Sequence, residues 1–262
     1  MTEQPPVHVT RDGAVLEVRL DRPPANALDA ATSRVLSGIF MEFRDDPELR
    51  VAIITGTGER FFCAGWDLKA AAGGEPPDAD YGPGGFGGIQ QMPHLNKPVI
   101  CAVNGMAVGG GLEIAISADL IVAAEHARFA LPEIKAGTLA DAATIRLPRR
   151  IPYHVAMDML FTGRWMDAEE ALRWGLVNQV TPVEQLMPRA RELASALAAG
   201  PPLVFAAIKE VARESETLAF SEAIDRVTRR GFPTVATLYA SDDQKEGARA
   251  FAEERPPVWK GR

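Results

Sequence analysis

Cysteine is nearly absent from this chain. Cys63 and Cys101 are the only two, both in apolar stretches, and neither belongs to a CxxC or a Cys/His pattern. A disulfide framework and a thiolate metal site are thereby excluded, and both thiols read as small buried hydrophobes in a reducing compartment. Histidine is scarce too. His8, His94, His126 and His154 lie far apart and off ligand spacing, which argues against a metal centre or a histidine base. There is no GxSxG and therefore no nucleophile elbow. No GK[ST] follows a glycine loop, and in "GTGERF" Phe61 stands where a dinucleotide fingerprint needs its third glycine. Basic residues are outnumbered, 28 Lys+Arg against 35 Asp+Glu, for a net charge of −7. Nucleic acid and anionic membrane are not expected as partners, because no surplus exists to neutralise phosphates. No apolar run approaches the ~18 residues of a membrane span. The opening "MTEQPPVHVT" has neither a basic nor an apolar leader region, so a cytoplasmic protein is expected.

What is present is an ordinary globular composition, 47% hydrophobic and 24% charged over 262 residues, enough for one large domain or a domain with an appendage. "HVTRDGAVLEVRL" alternates around Asp12-Gly13 and predicts a β-hairpin. Asp29 can cap a helix with Val35, Leu36, Ile39, Phe40 and Phe43 on one face. "VAIIT" (51–55), "PVICAV" (98–103) and "LIVAA" (120–124) are short β-rich runs that predict buried strands. Between them lie a loop rich in glycine and proline (71–88), a helix near Ile89–Leu95 and a helix opening at glycines 109–111. This alternation favours an α/β architecture with a partly parallel sheet. "DAEEALRWG" runs from a cap at Asp167 to a stop at Gly175, and "LVNQV" follows as a strand. "AAGPPLV" (198–204) is a hinge candidate. Beyond it, Leu203–Arg213, Leu218–Arg230 and Lys245–Glu254 read as amphipathic helices, which need either a subunit interface or the protein's own core to pack on.

Carboxylates beside glycine-rich turns are the chemistry that remains. Asn104-Gly105 turns the chain after strand 98–103, and Gly109-Gly110-Gly111 lead into a helix. Glycines admit close approach to the backbone, and the first N–H groups of a helix are unpaired. Together they form a donor site for an oxygen carrying negative charge. Glu113 falls in that helix's first turn, where the helix N-terminus favours its ionised form and burial its neutral form. Glu133 follows Pro132 at the end of the apolar run in "FALPEIKAG". In "FFCAGWDLKAAA" the Ala64-Gly65 turn presents the Trp66 N–H, with Lys69 one turn on. Taken singly, each of these also fits a plain role: Glu113 as a helix-start acid, Glu133 as a turn residue, Lys69 on a solvated helix face.

Taken together, an AGxDL-type segment, then NG–xxxGGG–x–E, then a PE dipeptide twenty residues on resemble the crotonase (enoyl-CoA hydratase/isomerase) superfamily along essentially the whole chain. The resemblance implies a spiral of repeated ββα units over 1–198 and a C-terminal helical region over 199–262 that mediates trimers, often paired into hexamers. It implies an oxyanion hole from the N–H groups of Trp66 and Gly110, and catalytic carboxylates at Glu113 and Glu133. It places CoA along "DRPPANAL" and the AGxDLK segment, at Arg22, Ala25, Ala64, Asp67, Leu68 and Lys69. The substrate would be an acyl-CoA thioester, with CoA as part of the substrate and no further cofactor or metal.

"FRDDPELRVAIITGTGERFFCAGWDLKAAAGGEPPDADYGPGGFGG", "EEALRWGLVN" and "PVWKGR" look like one branch of that family, whose 3-hydroxyacyl substrate carries a trimethylammonium group. Aromatic faces and acids suit such a cation, and the stretch 66–86 offers Trp66, Tyr81 and Phe86 with Glu75, Asp78 and Asp80. One segment departs from the family pattern G-x-x-P-x-x-G-G. Here it is "GTLADAAT", with Ala140 for the proline, Ala143-Thr144 for the glycine pair, and Asp141 between them. Added side chains there are expected to narrow the acyl pocket or move the catalytic water. A Δ3,Δ2-enoyl-CoA isomerase is the alternative enzyme, though it needs only one acid/base group. An acyl-CoA-binding protein with a decayed site is the non-enzymatic alternative, motivated by the departing segment.

Overall fold

The computed structural model describes residues 5–262; the first four residues of the opening segment read for a leader lie outside the described residues. Strands β1 (Val7–Asp12) and β2 (Val15–Leu20) form the expected hairpin, closed by the Asp12–Val15 pair around Gly13. Helix α1 (Ala30–Asp45) starts where the Asp29 carboxylate accepts the Thr32 N–H at 2.7 Å. Leu36, Phe40 and Phe43 are fully buried along its inner face. Val35 was expected with them but is 48% exposed, because one position along a helix turns the side chain by about 100°.

Three turns of a spiral follow, each a strand in one sheet, a strand in a second sheet, then a short helix. The first is β3 (Val51–Gly56), β4 (Phe61–Cys63) and α2 (Leu68–Ala72). The second is β5 (Val99–Val103), β6 (Met106–Val108) and α3 (Gly110–Ala115). The third is β7 (Leu120–Ala124), β8 (Arg128–Ala130) and α4 (Glu133–Ala136). Then come α5 (Asp141–Arg150), α6 (Tyr153–Thr162), β9 (Trp165–Asp167), α7 (Ala168–Arg173), β10 (Gln179–Thr181) and α8 (Val183–Ala198). Asp167 caps α7 through the Glu170 N–H at 2.8 Å, as expected. "LVNQV" forms a strand only from Gln179, after Leu176 and Val177 are buried.

The larger sheet has the order β1-β2-β3-β5-β7-β10 and the smaller β4-β6-β8-β9. Among the described residues only β1/β2 and β8/β9 pair antiparallel. Residues of the central strands alternate between two cores. Ala52, Ile54, Cys101 and Val103 face the main core with α1. Val51, Ile53, Ile100 and Ala102 pack under Leu186, Ala190 and Ala194 of α8. Burial on both faces is why these strands read as unbroken apolar runs.

The helix expected near Ile89–Leu95 does not form. Phe86–Gly88 make one 3₁₀ turn, and the chain then runs irregularly to β5. Pro93 supplies no N–H, disfavours helical geometry before it, and is followed by His94 at φ +56°. Ile89, Met92 and Leu95 are buried all the same, so their spacing marks burial and not helix.

Past a bend of 102° between α8 and its successor come α9 (Pro202–Glu214), α10 (Phe220–Thr228), α11 (Pro233–Ala240) and α12 (Asp243–Ala252). Helix α11 was not anticipated; Pro233 restarts the helix at its first turn, a position that needs no N–H. Helix α9 is tied to the spiral, with Lys209 Nζ donating to the Lys97 carbonyl at 2.8 Å and pairing with Asp119 at 2.7 Å. Phe220 and Phe251 are 82% and 87% exposed. Among the described residues no single helix is long and apolar enough to cross a membrane.

Candidate active site

Strands β4, β6 and β8 are parallel neighbours, so their C-terminal ends lie side by side. Each end hands the chain to one of the segments singled out above: Ala64-Gly65-Trp66, Gly109-Gly110-Gly111 and Pro132-Glu133. Gly65 adopts φ +87°, and a Cβ there would lie 2.7 Å from the Val108 carbonyl oxygen and 2.9 Å from the Gly110 nitrogen. Only glycine permits that approach. Leu28 N–H donates to the Gly65 carbonyl and Asp67 N–H to the Leu28 carbonyl, which leaves the Trp66 N–H between them without an acceptor among the described residues. Gly110 opens α3, and its N–H is likewise without an acceptor there. Trp66 and Gly110 line one cavity of about 730 Å³, together with Glu113, Glu133, Tyr81, Phe86 and Asp141.

Glu113 is buried, with Oε1 accepting the Ala143 N–H at 2.9 Å and Oε2 accepting from Gln90 Nε2 at 3.2 Å. Burial pushes its carboxyl above the usual range, against the pull of those two donors. Arg146 braces this arrangement. Its guanidinium donates to the Gln90 carbonyl at 2.6 Å and to Ser117 Oγ, and that hydroxyl donates to the Glu113 carbonyl at 2.7 Å. Glu133 is placed differently. Its Oε1 sits against Gly109, where any Cβ would collide with it. Its Oε2 is buried with no partner. Burial, then the negative charges of Glu113 and Asp141, push this carboxyl up to about 7.

Of the residues expected to hold CoA, Ala64 and Leu68 line the cavity, and Leu68 is 75% exposed. Arg22, Ala25, Asp67 and Lys69 lie outside it. Arg22 pairs with Asp29 at 2.7 Å and Asp67 at 3.2 Å and donates to the Ala27 carbonyl, clamping the "DRPPANAL" turn onto α2. The Ala25 carbonyl accepts the Ala64 N–H, Asp67 caps α2 through the Lys69 N–H, and Lys69 is exposed.

The departing segment behaves differently from expectation. Ala140 and Ala143 are buried in the main core, and neither they nor Thr144 line the cavity. Their side chains therefore do not narrow it, and the Ala143 amide is a Glu113 partner. Gln90, Ala143 and Arg146 were missed by sequence reasoning: Gln90 lay in a segment read as helix, and a backbone donor leaves no side-chain signature. The acids expected around a cation also fall elsewhere. Glu75 accepts from Trp66 Nε1 at 2.8 Å and from the Ala30 N–H at 3.0 Å, and Asp80 accepts the Gly82 N–H at 2.9 Å. Neither they nor Asp78 line the cavity, whereas Trp66, Tyr81 and Phe86 do. The Tyr81 and Phe86 rings meet edge to face at 5.4 Å. Among the described residues no group of three or more His, Cys, Asp or Glu is placed to hold a metal ion.

Residues 10–262 match the family described as Enoyl-CoA hydratase/isomerase. A carnitinyl-CoA dehydratase from Citrobacter koseri is 54% identical over 257 residues, 98% of each chain, and one from Escherichia coli K12 is 53% identical over the same span. Among solved structures, an enoyl-CoA hydratase from Mycobacterium tuberculosis H37Rv superposes with a TM-score of 0.90 at 39% identity, covering 99% of this chain and all of the other. An enoyl-CoA hydratase from Bacillus anthracis does so with 0.89 at 31%, covering 98% of this chain and 100% of the other.

The Glu133 site carries a stability consequence. Its folded value of about 7 lies above the ordinary 4.5, so its contribution is fully present below about pH 4.5 and is lost as pH rises through 7. Glu133→Gln is expected to melt higher than the natural protein at pH 8, by at most about 3 kcal/mol, and level with it at pH 4.5. Paired melting curves across that range check this.

Proposed function

The chain belongs to the enoyl-CoA hydratase/isomerase family and adds or removes water across the Cα–Cβ bond of an acyl-CoA thioester; on that premise we propose that its substrate pair is L-carnitinyl-CoA and crotonobetainyl-CoA. The observation that carries the chemistry is the buried, unpartnered Glu133 Oε2, on a carboxylate set against Gly109, with Glu113 in the first turn of the helix that Gly110 opens.

In the dehydration direction the thioester carbonyl oxygen would accept the Trp66 and Gly110 N–H groups. Loss of the Cα proton moves charge onto that oxygen, where preorganised donors stabilise it; one such donor is commonly worth about 3–4 kcal/mol of barrier. Glu133, with no competing donor on Oε2, takes the Cα proton. Glu113 delivers a proton to the departing hydroxyl and then holds the resulting water. Two carboxylates divide acid and base work when their surroundings differ, and here one has both oxygens held by N–H donors while the other leaves Oε2 with none. Nothing in this sequence of steps calls for a cofactor besides the CoA of the substrate.

The acyl group is supported by the names of the relatives and by the Trp66, Tyr81 and Phe86 rings in the cavity wall. The exposed Phe220, Ile224, Tyr239 and Phe251 on the C-terminal helices support a homotrimer, or a hexamer of two trimers, built through that region. Two unpaired, buried thiols suit a cytoplasmic setting.

Glu133→Gln is expected to lower turnover about a thousandfold with little change in KM. The natural enzyme's dehydration kcat/KM should follow a bell-shaped pH profile, its rising limb set by ionisation of Glu133 near pH 7 and its falling limb by loss of the Glu113 proton. Absence of the rising limb would remove Glu133 as the base. Hydration of crotonobetainyl-CoA should exceed that of neutral crotonyl-CoA; the reverse order removes the carnitinyl reading. Sedimentation should give three or six times the 28.2 kDa chain mass.

A further inference from the structure

The cavity holds more negative charge than its catalysis uses. Three carboxylates line it: Glu113, Glu133 and Asp141. The two cations in its wall do not neutralise them. Lys135 Nζ is turned to the Gly163 carbonyl at 3.1 Å, and Arg146 is spent on the Gln90 carbonyl and Ser117 Oγ. Glu113 has both oxygens occupied by N–H donors, and Glu133 lies against Gly109. Asp141 is the first residue of α5; it is exposed, and its carboxylate has no hydrogen bond and no ion pair among the described residues.

In carnitinyl-CoA the quaternary nitrogen is joined to the hydroxyl-bearing carbon through one methylene. Wherever the reacting carbons meet Glu113 and Glu133, the cation must lie close by. A quaternary ammonium donates no hydrogen bond, so charge and aromatic surface are what can recognise it. The acids of the 75–80 loop do not serve: Glu75 is fully engaged, and Asp78 and Asp80 stand outside the cavity. Asp141 does stand inside it, and its field reaches Glu113, Glu133 and Tyr81 alike, raising the carboxyls and the phenol. Tyr81 has its hydroxyl turned away to the Pro77 carbonyl at 3.0 Å.

We propose that Asp141 is the counter-ion for the quaternary ammonium of the acyl group, with Tyr81 and Phe86 as its aromatic walls, and that it sets the preference for cationic over neutral acyl chains. This rests on the substrate reading above. A neutral acyl chain leaves the Asp141 charge uncompensated, so the same residue that attracts the cation selects against its neutral counterpart.

The test compares hydration of crotonobetainyl-CoA with that of an isostere carrying a tert-butyl group in place of trimethylammonium. The two differ in charge and hardly in size. The natural enzyme should favour the cation, and Asp141→Asn should lower the ratio of the two kcat/KM values about tenfold or more, as expected for one ion pair at moderate dielectric. Asp141→Glu, which keeps the charge, should retain most of the ratio. If the natural enzyme favours the cation and Asp141→Asn keeps the ratio, Asp141 is not the counter-ion while the substrate reading stands. If both substrates lose rate equally, the residue acts on α5 and not on the charge, and the proposal falls. If the natural enzyme does not favour the cation, the substrate reading fails and takes the proposal with it.

Discussion

The site depends on the parallel pairing of three very short strands. Cys63 opposes Ala107 and Val108 opposes Ala130, and the Gly109 N–H donates to the Ala130 carbonyl at 2.9 Å. Parallel strands end on the same side, so three segments far apart in the chain open on one space. Two contribute backbone donors and two contribute carboxylates, with α3 contributing one of each. The central strands of the larger sheet, buried on both faces, form the floor under these ends.

Once the ends are side by side, glycine and burial set the electrostatics. Gly65 lets two amides converge, and Gly109 lets a carboxylate lie flat on the backbone. The two glutamates then differ by what surrounds them. Glu113 is inside the fold but satisfied by Ala143 and Gln90, whereas Glu133 is partly buried and has an oxygen with no donor at all. An unsatisfied carboxylate costs the folded state stability. That cost and the raised proton affinity have the same cause, so the residue suited to move a proton near neutral pH also weakens the fold there.

Much of the fold was legible from local pattern. The hairpin at Gly13, the caps at Asp29 and Asp167 and the buried runs at 51–55, 98–103 and 120–124 each follow from a short-range rule, and each forms. Two departures share a cause. Ile89, Met92 and Leu95 have a spacing that fits a helix, yet they are buried by an irregular segment that Pro93 keeps from coiling. Glu75, Asp78 and Asp80 lie near aromatic residues in sequence, but the loop folds so that Glu75 faces Trp66 Nε1 and the start of α1. Proximity along the chain decided neither case.

The sequence by itself determined the elements that local geometry dictates, and it marked Glu113, Glu133, Gly110 and Trp66 as one family's pattern. It could not determine what each group touches. Ala140 and Ala143 read as obstructions and proved to be core residues, one of them offering its amide to Glu113. Arg22 read as a ligand contact, and the structure adds a second role as a clamp between two turns. Asp141 read as a further acid nearby and proved to line the cavity with no hydrogen bond or ion pair among the described residues. Burial, hydrogen bonding and field are properties of groups brought together from distant parts of the chain. The pairing of β4, β6 and β8 brings them together here, and pairing between strands is set by long-range packing.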